Sequence, residues 1–170
     1  MAVVNAKSQI ITDMDAVPAV KTNQIEVGGV VRSTFGTAEF ASSDATSVAR
    51  VCRLPSRAKV VRVMFACDDL GTGGTVDIGL HDISAVNAGA VVDVDFFASA
   101  VNTDSAALVP TDVTYEAAAI AIENHGKRLW ELIPSAPTAD PQKFYDVTVT
   151  RNTAAASGTV SLAIEYVLDD

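Results

Sequence analysis

From Val48 to Asp82 the chain follows a pattern that leaves little choice of backbone. Two apolar runs rich in β-branched residues, Val48–Leu54 and Val60–Ala66, flank a short turn, Pro55-Ser56-Arg57-Ala58. A glycine-rich turn, Gly71-Thr72-Gly73-Gly74, then leads into a strictly alternating segment. There Val76, Ile78 and Leu80 share one face and Asp77, Gly79 and His81 the other. Period two over β-branched residues, punctuated by Pro and Gly, is the grammar of half-buried antiparallel strands.

The rest of the chain from Gly28 onward reads the same way. Strands are expected near Val30–Phe40, Val48–Leu54, Lys59–Cys67, Thr75–His81, Val91–Phe97, Tyr145–Arg151 and Thr159–Leu168. In the last of these Val160, Leu162, Ile164, Tyr166 and Leu168 fall on the inward face. Val167 interrupts the opposite, polar face and implies that this face is covered near its end. A short helix is expected over 115–123, where Tyr115-Glu116-Ala117-Ala118-Ala119 holds helix formers behind a capping Asp112, with a strand as the alternative. Lys127–Leu132 reads as a short strand anchored by Trp130. The three prolines between Ile133 and Gln142 make that stretch a loop. Turn signals at these intervals predict an all-β fold, a single β-sandwich of jelly-roll or immunoglobulin-like kind over residues 28–170. Residues 1–27 lack sustained periodicity and read as an extended N-terminal arm or a locally docked terminus.

The order and spacing of these segments resemble a known family. The run Arg50-Val51-Cys52-Arg53-Leu54-Pro55-Ser56-Arg57-Ala58-Lys59-Val60-Val61-Arg62-Val63, followed by Asp68-Asp69-Leu70-Gly71-Thr72-Gly73-Gly74-Thr75-Val76-Asp77-Ile78-Gly79-Leu80, is similar to the head-decoration (cement) proteins of tailed bacteriophages. The likeness extends to Ile10–Pro18, Gly28–Thr37, Ala139–Pro141 with Tyr145–Thr150, and Ala156–Val160; it is weakest over 85–132. The resemblance implies a structural virion protein on the capsid exterior, assembled in the bacterial host cytoplasm. Its implied partners are the major capsid protein and further copies of itself, a trimer in preference to a dimer. It favours the arm reading of residues 1–27, because such arms clamp neighbouring subunits. Another virion component, tail- or fibre-associated, and a carbohydrate-binding sandwich module are the alternative readings.

Composition narrows the field. A chain of 170 residues is one domain's worth. Apolar residues make up 49% against 19% charged, a surplus that either fills a β core or is kept for partners. The formal net charge of −9 argues against general nucleic-acid binding, which needs a basic footprint. No apolar run approaches the ~20 residues of a membrane helix, and the first residues lack the layout of a secretion signal. Cys52 and Cys67, both in strand-like runs, read as reduced core thiols, with a cross-strand disulfide as the alternative.

Chemistry-bearing patterns are few. Asp68–Thr75 lacks the Gly-Lys-Ser/Thr ending of a phosphate loop and the spacing of a calcium loop, so it reads as a plain turn. Asp77 and His81 share a strand face, as do Asp93 and Asp95, and both pairs read as solvated outer faces. No nucleophile–base frame is present, so no catalytic residue, metal or cofactor is assigned and the chain is read as a non-enzyme. The candidates are contact residues: Ile10, Ile11, Val17, Pro18, Val20 and Ile25 in the arm, Arg50, Arg53, Arg57 and Lys59 in a basic cluster, and Trp130. Arg50 and Arg53 differ by an odd number, so a regular strand would send them to opposite faces, unless the strand bulges or ends.

Overall fold

The computed structural model describes residues 7–18, 20, 29–116, 120–153 and 156–168. Eight strands form two four-stranded antiparallel sheets. They are β1 (Val31–Ser43), β2 (Val48–Pro55), β3 (Lys59–Cys67), β4 (Thr75–Asp82), β5 (Val91–Asn102), β6 (Ala107–Asp112), β7 (Phe144–Arg151) and β8 (Ala156–Val167). The first sheet has the order β1-β8-β3-β6 and the second β2-β7-β4-β5. The pairs β1·β8, β2·β7, β3·β6 and β4·β5 together describe one long antiparallel ribbon, closed at the β4–β5 connection and rolled so that successive pairs alternate between sheets. That winding is a jelly roll, which decides between the two sandwich types the sequence left open.

The core lies between the sheets. Leu54, Val63, Phe65, Val76, Ile78, Leu80, Tyr145, Val147, Val149, Val160, Leu162 and Ile164 are buried there. These are the inward residues of the period-two runs, so the alternation set the burial directly. Val167 is also buried, as its place on an otherwise polar face implied. Cys52 and Cys67 are buried free thiols.

Three local readings need correction. Lys127–Leu132 is not a strand. Leu129–Leu132 forms one helical turn, preceded by Arg128, whose N–H donates to the Glu131 carboxylate at 2.8 Å. The turn docks on the β2–β3 connection through Leu129 N–H to Ala58 O at 2.9 Å and Trp130 N–H to Ser56 O at 3.1 Å. Over 115–123, residues 117–119 lie outside the described part. Tyr115 sits at φ +53, a left-handed conformation that does not start a helix, and Ile122–Asn124 is a single 3-10 turn. Asp112 accepts from Thr114 N–H at 3.0 Å, two residues on, so it makes an Asx turn there. Strand β6 had no counterpart in the sequence reading. It contains Pro110, which argues against a central strand, and it is an edge strand, where a missing N–H is tolerated.

Within the segment read as an extended arm, Gln9–Met14 forms a short helix, α1. Ser8 accepts from Ile11 N–H at its start, and Lys7 pairs with Asp15 at 2.6 Å. None of its residues is buried.

Candidate functional site

The two sheets present very different outer faces. On the second sheet the outward residues of β4 and β7 include buried ones: His81, Asp146 and Thr148 are 3%, 3% and 0% exposed. The chain covers them. Between Ile78↔Ala98 and Leu80↔Asp93, the single residue Gly79 of β4 faces four of β5, Val94 to Phe97, so β5 leaves the ladder. It crosses above Gly79, where a β-carbon would stand 2.2 Å from the carbonyl oxygens of both Asp93 and Val94. Gly79 therefore serves close backbone approach and opens no space for a ligand between Asp77 and His81. Asp77 instead accepts from Ala100 N–H at 2.7 Å and Asn152 Nδ2 at 2.8 Å, and His81 Nδ1 is hydrogen-bonded to the Thr148 hydroxyl at 2.9 Å. Among the described residues no three His, Cys, Asp or Glu side chains come together as metal ligands.

The basic cluster resolves into two halves. The β2–β7 register slips between Arg50↔Thr148 and Cys52↔Val147, which leaves Val51 as a bulge residue. The bulge resets parity, so Arg50 and Arg53 do share a face, and both meet Asp146. Arg50 Nη1 donates to its Oδ2 at 2.9 Å and Arg53 Nε to its Oδ1 at 2.7 Å. Arg50 also donates to the carbonyls of Asp82 and Gly89, both at 2.8 Å, and so ties β2 to β4 and to the 83–90 loop. Arg57 and Lys59 lie apart from this network. Arg57 is exposed and borders a cleft of about 360 Å³ with Ser56, Asp140, Gln142 and Lys143; Lys59 opens β3 opposite Val167. At that end Lys143 pairs with Asp82 at 2.5 Å and stands over the Tyr145 ring. The Tyr145 hydroxyl is pushed up to about 12, by burial first and then by the Asp82 and Asp140 carboxylates. Trp130 is half-buried on its helical turn, and its indole N–H has no hydrogen-bond partner among the described residues.

On the first sheet, by contrast, large apolar side chains are exposed. Phe35, at 79% exposure, stands on edge strand β1 in a row with Ala163 of β8 and Met64 of β3. Val31, Val61 and Val109 are exposed on the same sheet. The sequence reading missed Phe35. Its signal was present, since it is the one aromatic between Ser33 and Thr37 on a polar strand face. Of the arm candidates, Ile11, Val17 and Val20 are 45%, 98% and 53% exposed, Met14 joins them at 56%, Pro18 is exposed and Ile10 is half-buried. Ile25 lies outside the described residues.

No protein-family model matches the chain, and no curated protein matches it. Solved structures do. The fold recurs in phage capsid structures. One, described as the cyanophage Pam1 capsid asymmetric unit, is 22% identical with a TM-score of 0.52, over 84% of this chain and 88% of that one. Another, the capsid of Ralstonia phage GP4, is 16% identical with a TM-score of 0.54, over 88% of this chain and 92% of that one. At these identities the likeness is one of fold.

Proposed function

We propose that this chain is a structural virion protein, a decoration or cement subunit on the outside of a phage head. Residues 1–27 act as its arm and 28–170 as the sandwich that sits on the shell. The observation that carries this reading is the apolar surface left without a partner on a jelly roll of the kind found in phage capsid structures. Ile11, Met14, Val17 and Val20 are exposed on a short segment that buries nothing of its own. Phe35 projects from the first sheet at 79% exposure, while on the second sheet His81 and Thr148 are buried. Apolar groups in such positions lower free energy only when a neighbour covers them.

The mechanism is adhesive. The arm and the first sheet bury surface on subunits either side of a junction, and sister copies associate, as trimers in preference to dimers. Each contact is modest, and repetition over a closed shell multiplies their effect. The test is sedimentation with undecorated phage heads. Full-length protein is expected to pellet with heads, and protein lacking residues 1–27 to pellet much less. Full-length protein that stays in the supernatant overturns the reading.

A further inference from the structure

Arg53 is held in an unusual way for a surface arginine. Its side chain is 55% exposed, yet its Nε is fixed at 2.7 Å to a carboxylate that is only 5% exposed. The other oxygen of that carboxylate is taken by Arg50. Arg50 spends both its terminal nitrogens internally, on Asp146, Asp82 O and Gly89 O. Arg53 spends only Nε; among the described residues its two terminal nitrogens have no hydrogen-bond partner. Arg53 borders a shallow, open cavity of about 430 Å³ that Thr34, Arg50, Cys52, Ser84 and Asp146 also line. The bulge at Val51 creates this place, since without it Arg53 would point into the core.

We propose that this cavity is a carboxylate-binding site with Arg53 as its receiving group, and that an aspartate or glutamate side chain of a capsid subunit occupies it. The source of the carboxylate rests on the decoration reading above; the site rests on the geometry alone. Two guanidinium groups against one carboxylate leave a local charge of +1, which matches a monoanion. The planar fork offers two parallel donors, which fits a carboxylate's two oxygens. Because Asp146 has already oriented the guanidinium, little side-chain entropy is lost when the anion arrives. The chain as a whole carries −9, so attraction for an anion here is local to the pair and is no general basic field.

Two measurements on the full-length protein test this. In the first, isotope-labelled protein is titrated with sodium acetate and, separately, sodium chloride at equal ionic strength, following the Arg53 Nε–Hε resonance and the Thr34 and Ser84 amides. A saturable shift with acetate that exceeds the chloride response, and that Arg53→Gln abolishes, supports the site. Equal responses to the two salts overturn it. Inorganic phosphate acting at lower concentration than acetate overturns the carboxylate assignment. In the second, head binding by Arg53→Gln and Arg53→Lys is compared with wild type. Both variants are expected to bind at least about tenfold more weakly, because lysine lacks the fork. Should Arg53→Gln be misfolded by circular dichroism, the charge-preserving Arg53→Lys carries the comparison. Wild-type affinity in a folded variant overturns the capsid carboxylate as occupant while leaving decoration intact. Failure of wild type itself to bind overturns decoration and that occupant together, and the acetate titration still decides the site.

Discussion

Gly79 lies directly beneath the backbone of Val94, so close that a β-carbon on residue 79 would come within 2.2 Å of the Val94 carbonyl oxygen. The contact is backbone against backbone, so no side chain can swing away to relieve it. β5 crosses here over the outer face of the second sheet, where His81 and Thr148 are buried. Gly79→Ala is expected to destabilise the protein by about 3 kcal/mol, the upper end for overpacking. Urea unfolding followed by fluorescence measures it, and a loss below about 1 kcal/mol would mean that β5 is not held against this sheet.

Asp146 binds two arginines at once, and its removal strands both. Since Arg50 and Arg53 are 32% and 55% exposed, water recovers part of the loss. Asp146→Asn is expected to cost about 2 kcal/mol, less than a fully buried pair. Arg53→Ala is expected to cost under about 1 kcal/mol, because Arg50 still satisfies the carboxylate. Equal losses from the two variants would contradict this division of roles.

His81 is kept from taking a proton. Burial first, and then the Arg50 guanidinium, hold its pKa below the ordinary 6.5, against a weaker upward pull from Asp146. In the unfolded chain the same imidazole protonates near that ordinary value. The stability that neutral His81 contributes is therefore present above about pH 6.5, is lost as pH falls below it, and stops falling once the folded-state pKa is passed. Unfolding free energy measured from pH 7.5 to 5 is expected to drop more steeply for wild type than for His81→Gln. Parallel curves would rule out His81 as the source.

Asp93 acts with the opposite sign. Burial, and then the shared hydrogen bond with Asp95, raise its pKa above the ordinary 3.8. A carboxyl that resists ionisation in the folded state costs stability at neutral pH, and the cost disappears as pH falls through the folded-state pKa. Asp93→Asn is expected to raise the melting temperature at pH 7 and to have a smaller effect near pH 3. A melting temperature lowered at pH 7 would show that the ionised pair is stabilising.

Phe35 is 79% exposed, so the folded monomer gains little from it. Phe35→Ser is expected to leave unfolding free energy within about 0.5 kcal/mol of wild type. The same substitution is expected to weaken binding to undecorated heads, scored by the bound fraction in sedimentation. Unchanged binding would remove the first sheet from the adhesive surface and leave the arm alone.

Much of the sandwich was legible in advance because period two is a local property. The residues that alternate along β4 and β8 are the residues that fill the core, and β3 runs from Lys59 to Cys67 as expected. The less legible parts are those where local preference met a tertiary demand. The Tyr115 segment has helix-forming composition, yet Tyr115 turns left-handed and its ring is buried against Phe96 and Phe97. The Trp130 segment could have entered a ladder, but its N–H groups are taken by the β2–β3 turn. Pro110 hid β6 because a proline forbids a central strand and says nothing against an edge.

Sequence alone determined that this chain is a stack of short antiparallel strands, because alternation, glycine and proline act within a few residues of themselves. Only the tertiary structure decided that the ribbon rolls into a jelly roll, that His81 and Thr148 are buried on one sheet while Phe35 stays exposed on the other, and that Arg50 and Arg53 meet on Asp146. The meeting of the two arginines hangs on one extra residue at Val51, and the covering of His81 and Thr148 goes with a strand that leaves its ladder above Gly79. Bulges and crossings are set by which partner's backbone arrives at a given point, and that is a relation between distant residues, such as Arg50 and Asp146, 96 positions apart, that no local pattern encodes.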